Sequence, residues 1–291
     1  MEYWQAALFG LIQGLTEFLP VSSSGHLRVV EHFAGLLEPQ TGFDVALHMG
    51  TLVAILLFFW RDVADLAAAP IRAARGLAAG QGWQAVSGDA GMRGLGLLFL
   101  ASVPTGIIGY TLGPWLETRS MSLLFVGCAF LLNSFILFSS RWVTLNAGGP
   151  RLNTGFFGVR WPDALVVGIV QGLAVTRGVS RSGSTISAAL VMGMDRDTAG
   201  RFSFLLSLPA VGGAALLSLA GEATSGASVS LLPTLLGASV AFVSGLVALF
   251  WLMRMVRAGR LHRFGWYTLF LGMGLVLWHF QGEALLSALG G

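Results

Sequence analysis

Apolar residues gather along this chain in long runs separated by short polar stretches. Five runs, 44–60, 94–113, 121–139, 202–220 and 229–253, read as full membrane crossings, and 264–280 as a sixth. Two further apolar stretches, 4–30 and 162–194, are interrupted by Pro, Gly, Ser and charge, so neither is a clean span. The expected fold is an all-α polytopic membrane protein, one integral membrane domain over residues 1–291, with about six full transmembrane helices.

Composition supports this. Of 291 residues 55% are hydrophobic and 11% charged, against about 25% charged in soluble domains. The 40 glycines suit helices packed closely in lipid. Cys128, the single cysteine, excludes an intrachain disulfide and reads as a packing residue. No cleavable signal peptide is evident, because Glu2 stands where an n-region would be basic and the first basic residue is Arg28.

All 17 basic residues are Arg, and most lie in three groups: Arg61, Arg72, Arg75 and Arg93; Arg141, Arg151 and Arg160; and Arg254, Arg257, Arg260 and Arg263. The positive-inside rule places these loops in the cytoplasm, and those around Glu117 and Glu222 outside. Parity then requires 162–194 to enter and return to the cytoplasmic face. The first interrupted stretch starts and ends outside, which puts both termini outside. Two re-entrant hairpins from opposite faces are thus expected, and such backbone survives at membrane depth only when buried in protein or lining a cavity.

The interrupted stretches also resemble each other. Gln13-Gly-Leu and Gln171-Gly-Leu, then Val-Ser-x-Ser-Gly in both, align without a gap at an offset of 158, with seven identities in thirteen positions. An inverted-topology repeat is expected, one copy over about 1–140 and the other over about 160–291, with the functional site near the midplane at their interface.

Charge inside these hairpins is the candidate chemistry. Glu17 shares a helical face with Gln13, and an acid at membrane depth is a functional hypothesis by default. His26 closes the turn Ser22-Ser23-Ser24-Gly25-His26 and is a candidate general acid or base. In the second hairpin Arg177, Gly178, Ser180, Arg181, Ser182, Gly183, Ser184 and Thr185 run into an apolar helix. Glycine backbone, hydroxyls, a helix N-terminus and Arg181 together suit a phosphate; the bland reading is a helix cap at Ser180 or Ser182. Such facing hairpins suit phosphoryl transfer. Asn133 and Ser134 read as interhelical glue, Trp60, Trp115, Trp142 and Trp161 as interface anchors, and Asp195–Asp197 as a solvated turn.

At these residues the chain resembles the undecaprenyl-diphosphatase family, bacterial membrane enzymes also known as bacitracin-resistance proteins. The resemblance covers nearly the whole length. It rests on a Glu/Gln-x-x-x-Glu segment running into Ser-Ser-Gly-His (Gln13 to His26), a Pro-Gly-x-Ser-Arg-Ser-x-x-Thr segment (Arg177 to Thr185), and Phe-Ser-Phe-Leu-Leu from Phe202. It implies hydrolysis of undecaprenyl diphosphate to the monophosphate and phosphate, recycling the carrier lipid of cell-wall synthesis. It also implies divalent-metal dependence (Mg²⁺ or Ca²⁺) and an inner-membrane enzyme with a periplasmic active site. By the same resemblance Glu17, His26, Ser23 and Arg181 are the catalytic candidates. Gln13, Ser22, Ser24, Gln171, Arg177, Ser180, Ser182, Ser184 and Thr185 are the substrate-binding candidates, and Ser23 or a water the nucleophile. Gln13 stands where many members have Glu, and Arg177 replaces the motif's Pro. His48 stands where some members have Gln and is a candidate second metal ligand beside Glu17, or an interhelical hydrogen-bonding residue. Membrane lipids and a second copy of the chain are further candidate partners, and no nucleic-acid partner is needed. The rival function is a transporter or flippase of the lipid monophosphate, because broken helices in inverted repeats are transporter architecture.

Overall fold

The computed structural model describes residues 2–33, 41–146, 155–225 and 230–289, with backbone only at 41, 142–146, 157, 219–225 and 283–289. Arg151 and the side chains of Glu222 and Trp142 lie outside the described residues. In chain order the helices are α1 (Tyr3–Phe18), α2 (Ser23–Phe33), α3 (Thr41–Phe58), α4 (Trp60–Ala78), α5 (Gln84–Ser87), α6 (Ala90–Arg119), α7 (Leu123–Asn146), α8 (Trp161–Leu173), α9 (Arg181–Val191), α10 (Arg196–Ser225), α11 (Leu231–Arg257) and α12 (Arg263–Leu289). Among the described residues there is no strand.

Among the described residues four helices, α6, α7, α10 and α11, are long and apolar enough to cross a membrane. The first expected crossing, 44–60, is shorter and then turns. Phe59 leaves helical geometry, and α4 departs at 82° from the axis of α3. The 61–93 segment is therefore largely helix rather than loop. Leu66, Ala69 and Ala73 form the buried side of α4, while Arg61, Arg72 and Arg75 ride on it. The sixth expected crossing lies in α12, a 27-residue helix. Trp266, Tyr267 and His279 interrupt its apolar run. The stretch read as a solvated turn at 195–197 instead begins α10: Asp195 Oδ1 accepts from Thr198 N at 2.9 Å. Cys128 is exposed, facing outward from α7 rather than packing inside. Trp60, Trp115 and Trp161 are exposed as well.

The two interrupted stretches fold as helix–turn–helix pairs, α1/α2 and α8/α9, of 16, 11, 13 and 11 residues. Each piece is short of the roughly 20 residues a crossing needs. α1 packs on α11, and α8 on α6. Glycines 158 residues apart make both contacts. A Cβ on Gly10 would lie 2.3 Å from Gly237 O, and one on Gly168 would lie 2.1 Å from Ala101 O. Gly14 and Gly172 repeat the approach one turn on, to Ser244 and Ile108. These are small-xxx-small seams, which let helix backbones touch where lipid supplies no hydrophobic drive between helices. α3 lies against α10 and α11, and α7 against α12. The main core, including Phe18, Phe59, Ala101, Phe204, Leu205 and Leu249, fills the space these helices enclose.

Candidate functional site

Each hairpin turns where its sequence cannot stay helical. In the first, Pro20 lacks the amide donor for a continuing helix, and Ser22 adopts φ +68°. Among the described residues it is the only non-glycine with positive φ. Such a conformation costs on the order of 1–3 kcal/mol and needs local support. Ser22 Oγ supplies part of it, accepting from Gly178 N at 3.0 Å and from Gly25 N at 3.4 Å. In the second hairpin Gly178 takes φ +100°, and a Cβ there would strike Val126 O and Ala129 Cβ at 2.7 Å.

The two tips meet. A Cβ on Gly25 would fall 3.0 Å from Gly178 Cα. Asn133 of α7 joins them: its Nδ2 donates to Pro20 O at 3.0 Å, and its Oδ1 accepts from Ser180 N at 2.9 Å. The side chain read as glue thus ties both turns to one helix. Ser182 Oγ adds a bond to Phe18 O at 2.9 Å. Ser180 is the N-cap of α9, accepting from Gly183 N at 3.1 Å, so the capping reading holds for it.

Glu17, one residue from the end of α1, is the hub. Its Oε1 accepts from Arg181 NH2 at 2.6 Å, a charge-assisted bond with both side chains mostly buried. Its Oε2 accepts from Ser23 Oγ at 2.5 Å and from Gln13 Nε2 at 3.0 Å. Ser23 and Arg181 lie 158 residues apart, each beginning the second helix of its pair. One carboxylate therefore gathers the first residue of both α2 and α9. His48 of α3 brings Nε2 to 3.8 Å from Glu17 Oε2, while its Nδ1 is 2.8 Å from Asp44 O.

A cavity of about 460 Å³ opens on this hub. Glu17, Ser22, Ser23, Ser24, Ser180 and Arg181 line it, with His48, Asp44 and Gln171. Ala210, Val211, Ala214 and Ala215 of α10 line it too, so polar side chains share the cavity with small apolar ones. Arg177 lies in the lining too, its NH2 3.9 Å from Glu117 Oε1 at the end of α6. Gln171 donates toward Leu206 O at 3.3 Å and Thr105 Oγ1 at 3.4 Å, with Oε1 buried and unbonded.

Other sequence candidates fall elsewhere. Gln13, Ser182, Ser184 and Thr185 are buried outside the cavity lining. Thr185 Oγ1 serves Arg181 O, at 2.8 Å, and Ser203. Ser184 Oγ is buried without a hydrogen-bond partner. His26 is not in the lining either; its imidazole lies between Ser22 O at 2.8 Å and Tyr267 Oη of α12 at 2.7 Å. Sequence reasoning did not single out Thr105, Tyr267 or the α10 lining. Tyr267 sits in an apolar run where an aromatic residue reads as an interface anchor.

Among the described residues no three His, Cys, Asp or Glu side chains group as metal ligands. Gln13 Oε1 is buried and unbonded, and stands one helical turn from Glu17. These two oxygens fit Mg²⁺, which usually takes one or two protein oxygens and completes its shell from phosphates and water. They fit Ca²⁺, with its demand for six to eight oxygens, less well. The imidazole of His48 is a poorer donor for either hard ion.

The family model described as "Bacitracin resistance protein BacA" matches residues 6–274. The chain belongs to the BacA family. Relatives of this BacA-family protein include the undecaprenyl-diphosphatase of Desulfosudis oleivorans, 45% identical over 96% of this chain and 98% of that one. The undecaprenyl-diphosphatase of Desulforapulum autotrophicum is 39% identical over 94% and 97%, and that of Methanosphaera stadtmanae 38% over 94% and 96%. The match spans both hairpins and every helix that lines the cavity.

Proposed function

We propose that this multi-pass membrane protein hydrolyses undecaprenyl diphosphate to undecaprenyl phosphate and inorganic phosphate, with Ser23 as nucleophile. The observation that carries the reading is the Ser23 Oγ–Glu17 Oε2 hydrogen bond of 2.5 Å beside the Glu17–Arg181 ion pair of 2.6 Å. A serine hydroxyl is a weak nucleophile until a neighbouring base takes its proton. Glu17 is that base, and Arg181 is the cation for the phosphate oxygens. Ser23 Oγ attacks the terminal phosphorus and its proton passes to Glu17 Oε2. The bond from that phosphorus to the bridging oxygen breaks, and the lipid monophosphate leaves as an anion. Water then attacks the phosphoserine phosphorus and gives up a proton to solvent; the P–Oγ bond breaks, Glu17 returns its proton to Ser23 Oγ, and phosphate leaves with hydroxyl and carboxylate both restored. Ser22, Ser24, Ser180 and Arg177 supply further donors around the diphosphate. Gln13 and Glu17 would hold Mg²⁺, which would offset part of the negative charge at the site.

Related names support the substrate, since the relatives above are named undecaprenyl-diphosphatases. The cavity lining supports its amphipathic character, because phosphate donors and small apolar residues of α10 share it. A flippase would need the arginine but has little use for a serine bonded to an acid, so the hub favours the enzyme over the transporter.

We infer that the two halves are inverted repeats. The α1–α11 and α8–α6 contacts, built on glycines at an offset of 158, support this. Orientation follows from charge. The cavity lining includes Asp44 in the first turn of α3 and Glu117 in the last turn of α6, whereas the Arg-bearing α4 follows the other end of α3. With Arg-rich ends in the cytoplasm, the cavity faces the periplasm of an inner membrane, and both termini lie on that side.

Purified protein in detergent with undecaprenyl diphosphate and Mg²⁺ tests the reading. Phosphate release that disappears in Glu17→Ala and Arg181→Ala supports it; no release by the wild type under any divalent-metal condition sinks it.

A further inference from the structure

His26 and Tyr267 form a contact that hydrolysis by Ser23, Glu17 and Arg181 does not use. His26 Nδ1 lies 2.8 Å from the carbonyl oxygen of Ser22. A carbonyl only accepts, so Nδ1 carries the hydrogen and Nε2 is left as the acceptor in a neutral ring. That acceptor faces Tyr267 Oη at 2.7 Å, so the phenol donates to it. The two rings are nearly parallel, 8° apart at 5.7 Å between centroids, and Phe130 closes the imidazole edge-on at 5.3 Å. Both ring nitrogens are thus committed, and His26 stands outside the cavity lining that holds Ser22, Ser23 and Ser24.

The bonded chain ends at the strained residue. Tyr267 fixes the imidazole, and the imidazole holds the Ser22 carbonyl. Ser22, at φ +68°, sets the direction from which Ser23 approaches Glu17. We propose that Tyr267 and His26 are positioning residues for the nucleophile: together they hold the Ser22 turn in its left-handed conformation, and His26 does not carry a proton in the reaction. The last helix of the chain thereby supports the first hairpin across 241 residues of sequence.

The inference rests on Ser23 hydrolysis as proposed above, and its test separates the two. Tyr267→Phe removes one hydroxyl. His26→Asn keeps an amide donor for the Ser22 carbonyl but has no titrating group; His26→Ala keeps neither. Initial rates against substrate concentration and pH are measured for each, with hydrogen exchange of residues 20–25 followed by mass spectrometry. For Tyr267→Phe the expected result is a kcat about threefold to tenfold lower, the worth of one net hydrogen bond, with KM nearly unchanged. The pH profile keeps its shape, and exchange in 20–25 is faster than in wild type. His26→Asn is expected to stay within about tenfold of wild type with the same profile, and His26→Ala to fall well below it.

A general acid or base contributes about 10²–10⁴ in rate. His26→Asn as inactive as His26→Ala, or a limb of the pH profile that moves in Tyr267→Phe, overturns the proposal. Unchanged exchange in a folded Tyr267→Phe also overturns it, and that readout decides even if His26→Asn fails to fold. Wild-type protein that releases no phosphate counts against the hydrolase reading instead, and the exchange comparison still decides the positioning role.

Discussion

Glu17→Gln keeps the shape of the hub and removes its charge. Gln can still accept from Arg181 NH2 or Ser23 Oγ, so steric change is small, but neither bond to a neutral amide is as strong as to the carboxylate. Two consequences follow from the distances. Ser23, 2.5 Å from Glu17 Oε2, loses its proton acceptor, which lowers kcat by about 10²–10⁴. Arg181, bonded to Glu17 at 2.6 Å with its side chain 19% exposed, keeps its charge with no anion to face. Breaking a buried pair from one side costs about 3–5 kcal/mol, and the open cavity lets water reduce that toward the lower end. Neutralising both partners removes the stranded charge. Glu17→Gln/Arg181→Gln should therefore be more stable than the two single losses added together, with a coupling of about 0.5–3 kcal/mol. Thermal unfolding in detergent gives the stabilities, and phosphate release at saturating substrate gives kcat. A Glu17→Gln protein active within tenfold of wild type, or single losses that add without coupling, would refute the reasoning.

Gly168→Ala should destabilise by more than the 1–3 kcal/mol typical of overpacking, because the new methyl meets Ala101 backbone at 2.1 Å; Gly10→Ala, against Gly237 O at 2.3 Å, should lose a similar amount, and equal melting temperatures for wild type and both variants would refute the seam. Arg177→Ala should raise KM with kcat held, since Arg177 lines the cavity beside Glu117 away from the Ser23–Glu17 contact; steady-state kinetics separate the two. At the other end of α6 the hydrogen bond from Arg72 pulls the Asp89 carboxyl down to about 2, aided by the backbone N–H of Met92. Because the folded value lies below the unfolded one of about 3.9, this group stabilises the start of α6 fully above pH about 4 and loses that effect as pH falls toward 2. Protection of amides 90–93, taken as exchange relative to the intrinsic rate at each pH, should fall across that window in wild type, and should be low and unaffected by it in Asp89→Ala.

Much of the fold and the hub can be read from the chain because each rests on local signals. Apolar runs mark the long helices, and Pro20 and Gly178 mark turns where no helix can continue. The cost of burying an ionised side chain picks out Glu17 and Arg181 before any contact is known. The bend after Phe58 is less legible: α3 and α4 are both helical, and it is the arginines, with a single buried stripe of Leu66, Ala69 and Ala73, that keep α4 off the axis of α3. Cys128 looks internal because an apolar run is the same whether it faces protein or lipid; its exposure is set by which side of α7 meets α12. His26 is the clearest case. Beside three serines an imidazole reads as an acid or base, and only the position of Tyr267, 241 residues away, shows that both of its nitrogens are occupied. The apolar lining from α10 is also invisible in sequence, since Ala210, Val211, Ala214 and Ala215 are ordinary residues for a membrane helix until they line the cavity.

Rapid mixing of the purified protein with undecaprenyl diphosphate labelled in its terminal phosphate, quenched in acid within one turnover, follows the bond that Ser23 is proposed to make. Label should appear transiently on the peptide containing Ser23 before free phosphate accumulates, and Ser23→Ala should give neither labelled peptide nor turnover. Full hydrolysis by Ser23→Ala, with no label on the wild-type chain at any time, would mean that water rather than this serine attacks the phosphorus.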